Sequence, residues 1–79
     1  MRQKKRYRVI SFEQTTDAMA MEQTCLAREI PGRLIPTPTE ITAGCGLAWR
    51  MREEDYQAYE EQLPALGLAW SASDWIWMY

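Results

Sequence analysis

Every proline and glycine of this 79-residue chain falls between Pro31 and Gly67, and that placement dictates where regular structure can start and stop. Proline lacks a backbone donor, fixes φ and pushes the residue before it out of the α region. Glycine has no Cβ and relaxes the φ/ψ limits. The stretch before Pro31 is free of both and has room for a strand and a full helix. From Pro31 onward the chain is cut into short pieces. The cuts are densest in Arg33 to Arg50, RLIPTPTEITAGCGLAWR, whose centre is Cys45 between Gly44 and Gly46.

Met1 to Arg6 is polar, positively charged and without periodicity, and is expected to be a flexible basic arm ahead of a single domain over residues 7–79. Tyr7 to Phe12 is β-branched and aromatic, which suits a strand. Thr15, Thr16 and Asp17 offer N-cap side chains to a helix over Ala18 to Arg28. At about 100° per residue, Ala18, Met19, Met21, Cys25 and Leu26 share one broad arc, so Cys25 is expected to face the core. Glu22 lies inside that arc, its stem at the core margin and its carboxylate reaching water or the neighbourhood of a thiol. Pro31 and Gly32 end the helix.

Arg33 to Pro36 reads as a second strand, and Pro36 and Pro38 keep Thr37 to Gly44 extended as a loop. Apolar alternation resumes over Gly46 to Met51, with Leu47, Trp49 and Met51 on one side and Ala48, Arg50 and Arg52 on the other. Glu53, Glu54 and Asp55 open a second helix where its dipole favours negative charge. Tyr56, Tyr59 and Leu63 give that helix a packing face, and Pro64 and Gly67 bracket its end. A final strand carrying Trp75, Trp77 and Tyr79 follows the break at Ser71-Ala72-Ser73-Asp74. The succession strand, helix, strand, strand, helix, strand predicts an α+β, ferredoxin-like βαββαβ sandwich, a four-stranded antiparallel sheet with two helices on one face.

Composition removes several classes of function. The formal net charge is −2, and the basic residues crowd the start while the acids lie later, so an acidic body with a basic tail argues against nucleic acid as partner. Histidine is absent, which takes away the commonest general base and metal ligand. Two cysteines, Cys25 and Cys45, match neither a zinc site nor a disulfide framework, so no metal or cofactor is expected and the setting is read as reducing and cytoplasmic. No apolar run is long enough for a membrane span. No Ser/His/Asp or Cys/His set, phosphate-binding glycine loop or paired-carboxylate site is identifiable, so catalysis in the fuller sense has little support.

Cys45 is the residue with chemistry. A thiol acts as a nucleophile in its thiolate form, which cations and exposed N–H groups favour. The Gly44-Cys45-Gly46 segment is expected to turn N–H groups toward the sulfur, and Arg50 or Arg52 on the adjoining strand to supply charge. Glu22 and Arg33 are further candidates for outlying support. The alternative is a small buried residue at a strand start, since free cysteine is among the most buried types.

The string Leu34-Ile35-Pro36-Thr37-Pro38, then Glu40-Ile41, then Cys45-Gly46-Leu47-Ala48 and Arg50, resembles the selenium/sulfur carrier protein-like family of small bacterial domains. Phe12-Glu13, Thr15, Ala18 and Glu22 resemble that family's opening strand and first helix. The resemblance implies a cysteine that holds sulfur or selenium as a persulfide or selenosulfide, and Cys45 is the residue that matches it. It also implies donor and acceptor proteins as partners. Two other readings stand beside it. In one, an open sheet face bearing Trp75, Trp77 and Tyr79 binds another protein or a second copy, giving a homo-oligomer, because exposed aromatic patches usually mark association. In the other, Cys25 and Cys45 act together as a redox sensor.

Overall fold

The β-branched run near the start becomes a central strand. A computed structural model, which describes residues 3–41, 45–68 and 70–78, places β1 (Lys5–Ser11) between two longer-range partners. Helix α1 (Thr15–Ala27) follows it, then β2 (Arg33–Pro36) and β3 (Leu47–Arg52). The chain continues through α2 (Glu53–Tyr59) and a short α3 (Gln62–Ala65) to β4 (Ala72–Met78). The sheet order is β2-β3-β1-β4 and every neighbouring pair is antiparallel. This is the expected ferredoxin-like arrangement, with α1 and the α2–α3 segment on one face.

Register explains what lies on each face. On the helix side, Ile10 of β1, Phe12 just beyond it, and Trp49 and Met51 of β3 pack with Ala18, Met21 and Cys25 of α1 and with Leu63 of α3. Trp49, Phe12, Ile10, Met21, Met51 and Leu63 are all essentially inaccessible. Full burial of one such side chain contributes roughly 1.5–3 kcal/mol, so this single cluster accounts for most of what holds the layers together. A second, smaller cluster lies on the other face, where Val9, Ala48 and Ile76 are buried beneath Ile35, Ile41 and Met78. Ile41 reaches it because the segment after β2 folds back, its N–H donating to the Pro38 carbonyl at 3.0 Å.

Several boundaries differ from expectation. Lys5 and Arg6, expected in the basic arm, begin β1 because Met78 and Trp77 pair with them across the sheet. Arg6 also forms an ion pair with Glu53 and lies over the Trp75 ring at 4.6 Å. Helix α1 starts at Thr15 with Gln14 as its N-cap and no side-chain cap bond, so the threonines and Asp17 are first-turn residues. Its buried stripe is narrower than the arc drawn from the sequence: Ala18, Met21 and Cys25 are inside, whereas Met19 and Leu26 are 52% and 66% exposed. The second helix breaks after Tyr59, and Pro64 sits in the first turn of α3, where its missing N–H costs no intrahelical bond. β4 begins at Ala72 and takes in Ser73 and Asp74, which were read as a break.

The aromatic face moves. Trp75 pairs with Arg8 and meets Tyr56 of α2 edge-on, with ring centroids 5.9 Å apart, so it belongs to the helix side of the sheet. Trp77, two residues further on, shares that side by strand alternation. Arg8 is held between the rings, 3.6 Å from the Trp75 centroid and 4.3 Å from that of Tyr56. The face away from the helices is aliphatic and basic instead of tryptophan-rich. Tyr79 lies outside the described residues. Among the described residues no helix is long and apolar enough to cross a membrane.

Candidate functional site at Cys45

Cys45 stands two residues before β3, at the closing end of the hairpin that joins β2 to β3. The closure is a backbone bond, Thr37 N–H to the Gly46 carbonyl at 2.9 Å. Gly46 adopts φ +94°, a left-handed conformation that a side chain would strain although the space around it is open. The Cys45 N–H donates to the Phe12 carbonyl at 2.8 Å, tying the cysteine to the chain just beyond β1. Its backbone donor is therefore engaged and does not turn toward its own sulfur, as the glycine-flanked sequence suggested. The thiol donates instead to the Leu47 carbonyl, with Sγ 3.7 Å from the oxygen.

The two thiols are sharply different. Cys25 is 0% exposed, and desolvation pushes its pKa up from 9.0 to about 11. Cys45 is partly exposed and rests against the edge of the main core. A buried thiol that holds its proton is a poor nucleophile. The pairing of Cys25 with Cys45 as a redox couple has no geometric support, because one is sealed under α1 and both are free thiols.

Of the other expected site residues, Arg50 is three residues beyond Leu47 in β3, about 10 Å further along the strand at the usual rise per residue. Strand alternation sends it to the face opposite Leu47 and Trp49. There its guanidinium lies 4.5 Å from the centroid of Tyr7. Arg33 is directly across the ladder from Arg50 and shares its face. Glu22 is half-buried on α1 beside Met21. Gly44 lies outside the described residues. What sequence reasoning missed is that Arg33, Arg50 and Arg52 belong together: with Tyr7, Pro31, Gly32 and Asp55 they line a groove of about 440 Å³. The alternation that placed Arg50 and Arg52 on one face was the available signal.

Among the described residues, no group of three or more His, Cys, Asp or Glu side chains could hold a metal ion. What the described residues show around Cys45 is a partly exposed thiol anchored through its backbone.

Comparison with known proteins agrees with that small repertoire. No curated protein and no solved structure matches the chain. Residues 6–72 match the family model described as "Putative Se/S carrier protein-like", a span that runs from β1 to the start of β4 and contains both cysteines. A carrier-like role at the level of the family goes with that match, and the chain belongs to the Se/S carrier protein-like family.

Proposed function

We propose that this domain relays sulfur or selenium through Cys45. The observation that carries the reading is the contrast between its two thiols: one is sealed in the core, and the other sits partly exposed at a hairpin closure within the matched segment. In the sulfur case the Cys45 thiolate attacks the terminal sulfur of a donor persulfide. A new S–S bond forms at Cys45, the donor's S–S bond breaks, and the donor cysteine leaves as a thiolate. Attack on the terminal sulfur of Cys45 by an acceptor thiolate reverses the bookkeeping and restores the free thiol. The selenium case differs only in the terminal atom.

The anchoring supports such a relay. Backbone bonds to Phe12 and between Thr37 and Gly46 hold the thiol at a fixed point, which lowers the ordering cost of presenting it to donor and acceptor proteins. Arg50 is too far along β3 to stabilise the thiolate, and Gly46 contributes the backbone conformation of the approach.

The test is intact mass after incubation with a cysteine desulfurase and free cysteine. Wild-type protein and Cys25→Ala are expected to gain one reducible sulfur, whereas Cys45→Ser gains none. Equal labelling of all three proteins, or labelling that follows Cys25, would overturn the proposal.

A further inference from the structure

We infer that the arginine groove at the far end of β3 is a binding site for a small oxyanion of the phosphoryl or sulfonyl class. Its three guanidinium groups come from adjacent strands. Arg33 and Arg50 are directly opposed in the β2–β3 ladder, and Arg52 is two residues beyond Arg50 on the same face. Tyr7 is directly opposed to Arg52 from β1. Directly opposed residues have Cβ atoms about 5 Å apart, and like charges so placed destabilise a sheet. The fold nevertheless keeps three arginines around one hollow, whose described lining also includes Asp55.

That arrangement has the chemistry of an anion receptor. A guanidinium presents a planar fork of donors that matches the paired oxygens of a phosphoryl or sulfonyl group. Tyr7 adds a hydroxyl, and its ring lies under Arg50 at 4.5 Å, which restrains that guanidinium before any ligand arrives.

Shape selects a small molecule over an acidic protein. The groove is a concavity of about 440 Å³ walled by side chains from β1, β2, β3 and α2, a size that suits a small ligand. It lies on the opposite face and at the opposite end of β3 from Cys45, so this inference stands apart from the relay.

The experiment is a titration of the full chain with inorganic pyrophosphate at constant ionic strength, read by NMR on the arginine Nε–Hε signals. Arg33, Arg50 and Arg52 are expected to shift together and saturate, while Arg28 at the end of α1 stays still. Arg33→Gln and Arg52→Gln, both at exposed positions, are each expected to weaken binding about tenfold with the backbone spectrum preserved, and Arg28→Gln to leave it unchanged. Shifts that never saturate, or that spread equally to Arg28, would reduce the effect to screening and overturn the inference. So would unchanged affinity in a folded Arg33→Gln protein, or tighter binding of a polyglutamate peptide than of pyrophosphate, which would assign the face to an acidic protein.

Discussion

Alkaline pH should weaken this fold by an amount set by the burial of Cys25. Its side chain is 0% exposed among Ala18, Met21, Phe12 and their neighbours, and desolvation raises its pKa from 9.0 to about 11. In the unfolded chain the thiol returns to its ordinary value and loses its proton first. Below about pH 9 the thiol is protonated in both states, and the buried group's contribution is fully present. Between about pH 9 and 11 the native state binds more protons than the unfolded state, so stability falls as pH rises; above that window the loss is complete. A rise of about two units corresponds to roughly 3 kcal/mol. A domain of this length has roughly 4–12 kcal/mol in all, so the loss is readily measured. Urea unfolding of wild type and Cys25→Ala, followed by tryptophan fluorescence across this range, isolates the thiol because lysine and tyrosine titrations are common to both proteins. The variant starts lower by the cost of its cavity, and the gap should close by roughly 3 kcal/mol as pH rises through the window. Parallel stability curves would refute the argument, because a thiol that titrates alike in both states is not desolvated by the fold.

Two further outcomes follow from the packing. Gly32→Ala should destabilise the domain by about 2–5 kcal/mol, since it combines overpacking with a glycine-only backbone conformation. Its new Cβ would stand 2.4 Å from Cζ2 of the buried Trp49 ring, at φ +153°; a urea midpoint equal to wild type would contradict this. Alkylation of native protein with iodoacetamide near neutral pH, mapped by peptide mass, should modify Cys45 well ahead of Cys25, which should react at a comparable rate only after unfolding. Faster labelling of Cys25 would mean that α1 opens more readily than its packing indicates.

Much of this architecture was legible because local and long-range preferences agree. The uninterrupted run before Pro31 yields β1 and α1, and Pro31-Gly32 and Pro36 bound β2 on both sides. Cys25 is core-facing because Ala18, Met21 and Cys25 repeat at helical spacing. The tryptophans were harder to place. Alternation divides Ser73, Trp75 and Trp77 from Asp74, Ile76 and Met78, yet either set could have faced the helices. The choice is made by the Arg8–Trp75 register and by Tyr56 arriving from α2, contacts between segments far apart in sequence. Arg50 illustrates the opposite situation. Alternation within β3 places it on the face opposite Leu47 and Trp49, and closeness in sequence to Cys45 concealed that. Its partnership with Arg33 required the β2–β3 register.

The two outer strands of the sheet are unequal, and this limits how copies of the chain can join edge to edge. β2 is four residues long and ends in Pro36, which has no amide hydrogen to give to a neighbouring strand. β4 spans seven residues without proline. Strand addition is therefore confined to the β4 edge, where two copies meeting antiparallel would consume each other's extendable side. Edge-to-edge growth would stop at a pair, because propagation into a fibril needs a second edge that can accept the next strand.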